Sequence, residues 1–120
     1  MPNILIVDDS NSMRKMITFT LTEQDYEVAE ADDGTTGLEK LNGGTFDCII
    51  TDINMPTMDG ITFIKSLRGI SQYRFTPVIV LTTEDEEGTK NEGIKAGATA
   101  WIVKPFTPED LLSTVQKVLR

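Results

Sequence analysis

With 120 residues, 39% apolar and 25% charged, the chain has the size and composition of one folded domain that buries roughly two-thirds of its unfolded surface. Nineteen acidic against eleven basic residues give a formal charge of −8, which argues against binding nucleic acid through its phosphates and suits protein partners. There is no histidine and one cysteine, Cys48, so the commonest general base and the usual zinc ligands are missing and carboxylates remain as the chemical groups.

Met1-Pro2-Asn3 leads directly into the apolar run Ile4-Leu5-Ile6-Val7, with no basic region or small-residue cleavage site, so no signal peptide is expected. No apolar run approaches membrane-spanning length, and the expected compartment is the cytoplasm, with Cys48 a packed thiol. Ile4 to Val7 reads as a buried parallel strand that ends at Asp8-Asp9. Ser10, Asn11 and Ser12 offer N-caps for a helix carrying Met13, Met16, Ile17 and Leu21 at helical spacing. A second strand is expected near Glu27 to Ala31. Asp32-Asp33-Gly34 is a turn signal, and a short helix over Thr36 to Leu41 closes at Asn42-Gly43-Gly44.

Phe46 to Thr51 is the third predicted strand and brings Asp52 to its end, where Met55-Pro56 forces a loop. Ile61, Phe63, Ile64 and Leu67 mark a helix starting near Asp59-Gly60. Val78 to Leu81 is a fourth strand ending at Thr82-Thr83. The next helix, Glu84 to Ala96, contains Gly88 and Gly93 and is expected to be loosely held. A short fifth strand spans Ala100 to Val103. Thr107-Pro108-Glu109-Asp110 opens an amphipathic last helix through Leu111, Leu112, Val115, Val118 and Leu119.

Five strands alternating with five helices imply an α/β domain with one five-stranded parallel sheet covered on both faces; the doubly wound, flavodoxin-like order 2-1-3-4-5 is a common arrangement of such a sheet and is the one expected. The strand ends that bear Asp8, Asp9, Asp52, Thr82, Thr83 and Lys104 then share one edge, with strands one and three adjacent at the crevice where ligands bind. Three carboxylates within about 4–6 Å repel by about 3–4 kcal/mol per close pair at an effective dielectric near 20, so the cluster calls for a cation. Oxygen-only ligands favour Mg²⁺. Lys104 adds an ammonium suited to an incoming phosphoryl group, and Thr82 a hydroxyl donor. On this reading Asp52 is a nucleophile toward phosphorus, and Asp8 and Asp9 hold the metal.

These residues carry a resemblance. Val7-Asp8-Asp9, Asp52 with Asn54-Met55-Pro56 and Met58-Asp59-Gly60, Leu81-Thr82, Ala96-Gly97-Ala98 and Val103-Lys104-Pro105-Phe106 resemble the receiver domains of two-component response regulators over nearly the whole chain. More specifically, they resemble the single-domain members that serve chemotaxis. The resemblance implies that Asp52 accepts a phosphoryl group from a sensor histidine kinase and that Asp8 and Asp9 bind Mg²⁺. It further implies that the Asn54 backbone carbonyl is a metal ligand, that Thr82 and Lys104 sense the phosphoryl group, and that the Lys104–Pro105 bond is cis. A receiver of this kind catalyses its own phosphotransfer and dephosphorylation and is not otherwise an enzyme. With nothing following Arg120, a single domain acting by protein contact is expected.

Two positions depart from the family pattern. Trp101 stands where a switch Tyr or Phe is common, so a switch there would work by ring packing and the indole N–H. Ser10 stands where the chemotaxis members carry an aromatic residue. The expected output face combines Glu84 to Ala96, Trp101 and the last helix, with Glu84-Asp85-Glu86-Glu87 either a partner patch or acids favouring a helix N-terminus. Two other classes share parts of the pattern. A haloacid-dehalogenase-like phosphatase needs a second aspartate where Asn54 stands, and a flavodoxin-like electron carrier needs a phosphate loop where Asp8-Asp9 would repel the flavin phosphate.

Overall fold

The computed structural model describes residues 2–55, 57–83 and 87–119, with the side chains of residues 87–90 outside that description. In chain order the elements are β1 (Asn3–Val7), α1 (Asn11–Thr22), β2 (Glu27–Ala31), α2 (Gly34–Gly43), β3 (Cys48–Asp52) and α3 (Gly60–Arg68). A 3₁₀ turn (Ser71–Tyr73), β4 (Val78–Thr82), α4 (Glu87–Ala96), β5 (Ala100–Val103) and α5 (Pro108–Val118) complete them. All strand pairs are parallel, as the alternation of strands and helices predicts, and the order β2-β1-β3-β4-β5 is the expected flavodoxin-like one.

The three central strands are apolar runs because both faces of the sheet are covered. Leu5, Val7, Ile49, Val78 and Val80 point to one face, where Leu41 of α2, Phe63, Ile64 and Leu67 of α3 and Ala96 of α4 meet them. Ile4, Ile6, Cys48, Ile50, Ile79 and Leu81 point to the other, against Ile17 and Leu21 of α1 and Leu111 and Val115 of α5. Cys48 is thus a core residue. Desolvation pushes its thiol up to about 12, far from the thiolate needed for reactivity.

Local signals explain most helix ends. Ser10, Asp33, Asp59 and Thr107 each accept from a backbone N–H three residues on. Thr107 and Asp110 form a reciprocal capping box, with Pro108 in the first turn. Two predicted boundaries move. α2 starts at Gly34 instead of Thr36, because Asp33 caps a helix instead of merely ending a turn. β3 starts at Cys48 instead of Phe46: Phe46 is a buried loop residue, and the Asp47 carboxylate accepts from the Asn3 N–H at 2.8 Å. The predicted start of the fourth helix and the acids of its patch, residues 84–86 and the Glu87 side chain, lie outside the described residues. No described helix is long and apolar enough to cross a membrane.

Candidate functional site

The sheet register builds the site. Val7 lies opposite Thr51, so the next residue on each strand, Asp8 and Asp52, face one another at the C-terminal edge. Asp52 is opposite Leu81, and Thr82 opposite Val103, which brings Thr82 and Lys104 to the same edge. The Lys104 N–H donates to the Thr82 carbonyl at 2.6 Å, tying the residue after β5 to the end of β4. The Lys104–Pro105 bond is cis, as the resemblance implied.

Asp8 is fully buried. Its Oδ1 accepts from the Ser10 N–H at 2.8 Å, and its carbonyl accepts from the Arg14 guanidinium at 2.6 Å. Asp8 Oδ2 is buried with no hydrogen bond among the described residues; Lys104 Nζ, 3.5 Å away, is an ion-pair neighbour only. Asp52 is 7% exposed, and its Oδ1 accepts from the Ile53 N–H at 2.9 Å and lies 3.4 Å from Lys104 Nζ. Burial raises the Asp52 pKa above the usual carboxylate value and the Asp8 charge adds to this; Lys104 and the Ile53 N–H oppose them.

Asp8, Asp9 and Asp52 each offer a carboxylate oxygen, and these atoms lie within 4.8 Å of one another. Asp9 is exposed, which leaves one side of the cluster open to solvent. The donor set fits a hard divalent cation: every ligand atom is oxygen, and the buried Asp8 Oδ2 is a lone acceptor that a cation would satisfy. Asn54 is exposed in the loop two residues past Asp52. Thr82 is fully buried at the end of β4. Trp101, opposite Val80, is half-buried against the α3/α4 core, and its indole Nε1 is buried without an acceptor among the described residues.

Several residues that shape the site were not singled out from the sequence. Gly60 donates to the Ile53 carbonyl at 2.8 Å, and a Cβ there would overlap the Asp52 carbonyl oxygen, so only glycine lets α3 start against Asp52. The signal was present in Met58-Asp59-Gly60, which the sequence offers as a helix start and as part of the receiver motif but not as a close approach to Asp52. Thr57 holds φ 70°, a strained conformation for a β-branched residue in the loop beyond Asp52. Arg14, which fixes the Asp8 backbone and pairs with Glu30 at 3.2 Å, looks in the sequence like any surface base on α1.

The family model for the response regulator receiver domain matches residues 4–116. The chain belongs to the response regulator receiver family. This receiver is 40% identical over 116 residues to the chemotaxis protein CheY of Pseudomonas aeruginosa, covering 96% of this chain and 94% of that protein. It is 37% identical over 117 residues to the transcriptional regulatory protein SrrA of Staphylococcus aureus, covering 98% of the receiver and 47% of SrrA. Among solved structures, the chemotaxis protein CheY4 of Vibrio cholerae superposes with a TM-score of 0.97 at 51% identity, with 99% of each chain covered. As a receiver, the chain takes a phosphoryl group on an aspartate, itself catalyses that transfer and the later hydrolysis of the acyl phosphate, and signals between a sensor histidine kinase and a downstream protein.

Proposed function

We propose that this receiver carries its phosphoryl group on Asp52, with Mg²⁺ held by Asp8, Asp9, Asp52 and the Asn54 carbonyl, and that it acts as a chemotaxis regulator in the cytoplasm. The observation that carries the reading is the meeting of Asp52 with Lys104 Nζ at 3.4 Å beside a buried, unsatisfied Asp8 oxygen. Bound Mg²⁺ supplies charge neutralisation between the carboxylates and the phosphoryl oxygens. The chain's own groups do the rest. The Ile53 N–H and Lys104 fix the plane of the Asp52 carboxylate, one oxygen of which attacks the phosphorus of a phosphohistidine. The P–N bond breaks, an acyl phosphate forms, and the imidazole leaves after taking a proton. Lys104 and the Thr82 hydroxyl bind phosphoryl oxygens, and water later returns the carboxylate and inorganic phosphate.

Near-complete mutual coverage with the CheY relatives supports the chemotaxis reading, whereas the half-length match to SrrA supports receiver chemistry alone. A reducing compartment is consistent with the free, buried Cys48. The proposed output face runs over α4, β5 and α5. A cleft of about 290 Å³ lined by Trp101, Phe106 and Asp110 lies there, and Thr82 and Trp101 form the switch.

The decisive test is incubation with acetyl phosphate and Mg²⁺, read by intact mass and hydroxylamine sensitivity. One phosphoryl group is expected on the parent and none on Asp52→Asn. An adduct that persists in Asp52→Asn sinks the assignment, and loss of the adduct on chelation is expected if the acids hold the cation.

A further inference from the structure

α4 carries a glycine at position 93 where the helix meets the ring of Trp101 on β5. A Cβ on Gly93 would lie 2.8 Å from Cζ3 of the Trp101 ring, and the nearest atoms around it all belong to that ring. The indole's six-membered ring therefore occupies the space that any other residue's side chain would need. Glycine is a poor choice inside a helix, where alanine loses less entropy, and Gly93 is not placed there for a turn. The turn is made four residues later by Gly97 at φ 115°, whose N–H and that of Ala98 both donate to the Gly93 carbonyl and close α4. A cleft of about 160 Å³ lined by Ile94, Ala98, Thr99, Ala100 and Trp101 lies beside the ring, so there is room next to it for the ring to move.

We propose that Gly93 is the positioning residue for Trp101. Its missing side chain leaves a notch in α4 in which the indole lies, so ring and helix move as one body when the state of Asp52 changes. The coupling to Asp52 rests on the function proposed above; the notch itself does not. Trp101 pairs with Val80, two residues before Thr82 on β4, so the strand that carries the ring is bonded to the strand that carries the proposed switch hydroxyl.

Trp101 is the only tryptophan, so its emission reports the ring directly. In Gly93→Ala the added methyl is expected to drive the ring toward solvent, shifting emission to the red and at least doubling acrylamide quenching. Thermal melts separate a lost fit from general damage. Gly93→Ala should lower the melting temperature beside Trp101 but raise it in a Trp101→Phe background, where the smaller ring leaves room and the helix gains from alanine. Unchanged emission in Gly93→Ala, or the same sign of melting shift in both backgrounds, overturns the notch. Mg²⁺ with beryllofluoride, a phosphoryl mimic, is expected to change the parent's emission and to change that of Gly93→Ala at most half as much; equal responses overturn the coupled movement. Failure of the phosphoacceptor reading shows separately, as a parent that forms no acyl phosphate, and Gly93→Ala should be phosphorylated by acetyl phosphate to the same extent as the parent.

Discussion

The two edges of the sheet treat polar groups in opposite ways. At the N-terminal ends of the strands, buried donors find acceptors. The Tyr73 hydroxyl donates to the carbonyls of Leu41 at 2.9 Å and Gly44 at 2.7 Å, closing α2 onto the turn before β4. Arg68, at the end of α3, donates to the carbonyls of Tyr73, Arg74 and Thr76 with one nitrogen and to Gly97 with the other. At the C-terminal ends the same fold leaves Asp8 Oδ2 without a hydrogen bond among the described residues and crowds Asp52 against a second carboxylate. One edge is finished, and the other is completed only by what binds it. The difference separates residues that maintain the fold from residues that hold a charge in readiness, and substitutions at the two edges should move stability in opposite directions.

The largest effect is expected at the finished edge. Arg68→Ala removes four charge-assisted hydrogen bonds that join α3, the loop before β4 and the turn after α4. Because the site is partly open to water, about 2–4 kcal/mol of stability should be lost. Urea unfolding measures it as a lower midpoint with an unchanged slope. Phosphorylation by acetyl phosphate should persist at temperatures where the variant is folded; its loss there would mean that the two edges are not separable. Tyr73→Phe keeps the ring, which is 1% exposed, and deletes only the hydroxyl. The Leu41 and Gly44 carbonyls lose their donor, and about 1–2 kcal/mol should go with it. A variant as stable as the parent would show that water replaces the hydroxyl.

Legibility in the sequence also divides between the edges. The three central parallel strands, buried on both faces, appear as apolar runs, and Asp8, Asp9, Asp52 and Thr82 were visible because they stand where those runs stop, with Lys104 just past the short fifth strand. Chain order then placed them on one edge. The finished edge was hidden, because its bonds cross long stretches of chain: Arg68 reaches Gly97 and Tyr73 reaches Leu41, and no periodicity marks either pair. The same holds for the Gly93 notch, which exists only once α4 lies beside β5, and for Gly60, whose need for a bare Cα depends on the path of the Asp52 carbonyl. The misplaced start of β3 has a local cause. Phe46 is apolar and buried, but it packs from a loop, and apolarity alone cannot tell a strand residue from a loop residue that plugs the core.

The smallest effect carries the opposite sign and lies at the open edge. In metal-free buffer the Asp52 carboxylate is held above its ordinary pKa, first by burial and then by Asp8, so the folded chain binds that proton more tightly than the unfolded chain does. Ionising Asp52 therefore costs stability. The cost is absent below 3.8, where the carboxyl is protonated in both states, grows as pH rises toward the folded value, and is constant above it. Asp52→Asn should accordingly melt higher than the parent at neutral pH by roughly 1 kcal/mol. The advantage should shrink as pH falls through the acid range and vanish near 3.8. Lys104 limits the gain, since its ammonium at 3.4 Å loses one of two carboxylate partners and keeps Asp8 at 3.5 Å. Adding Mg²⁺ at neutral pH should narrow the gap further, because the cation stabilises the parent's three acids more than the variant's two. An Asp52→Asn variant less stable than the parent at pH 7 would mean that Lys104 outweighs burial and Asp8 together, and the crowding at this edge would then be no strain at all.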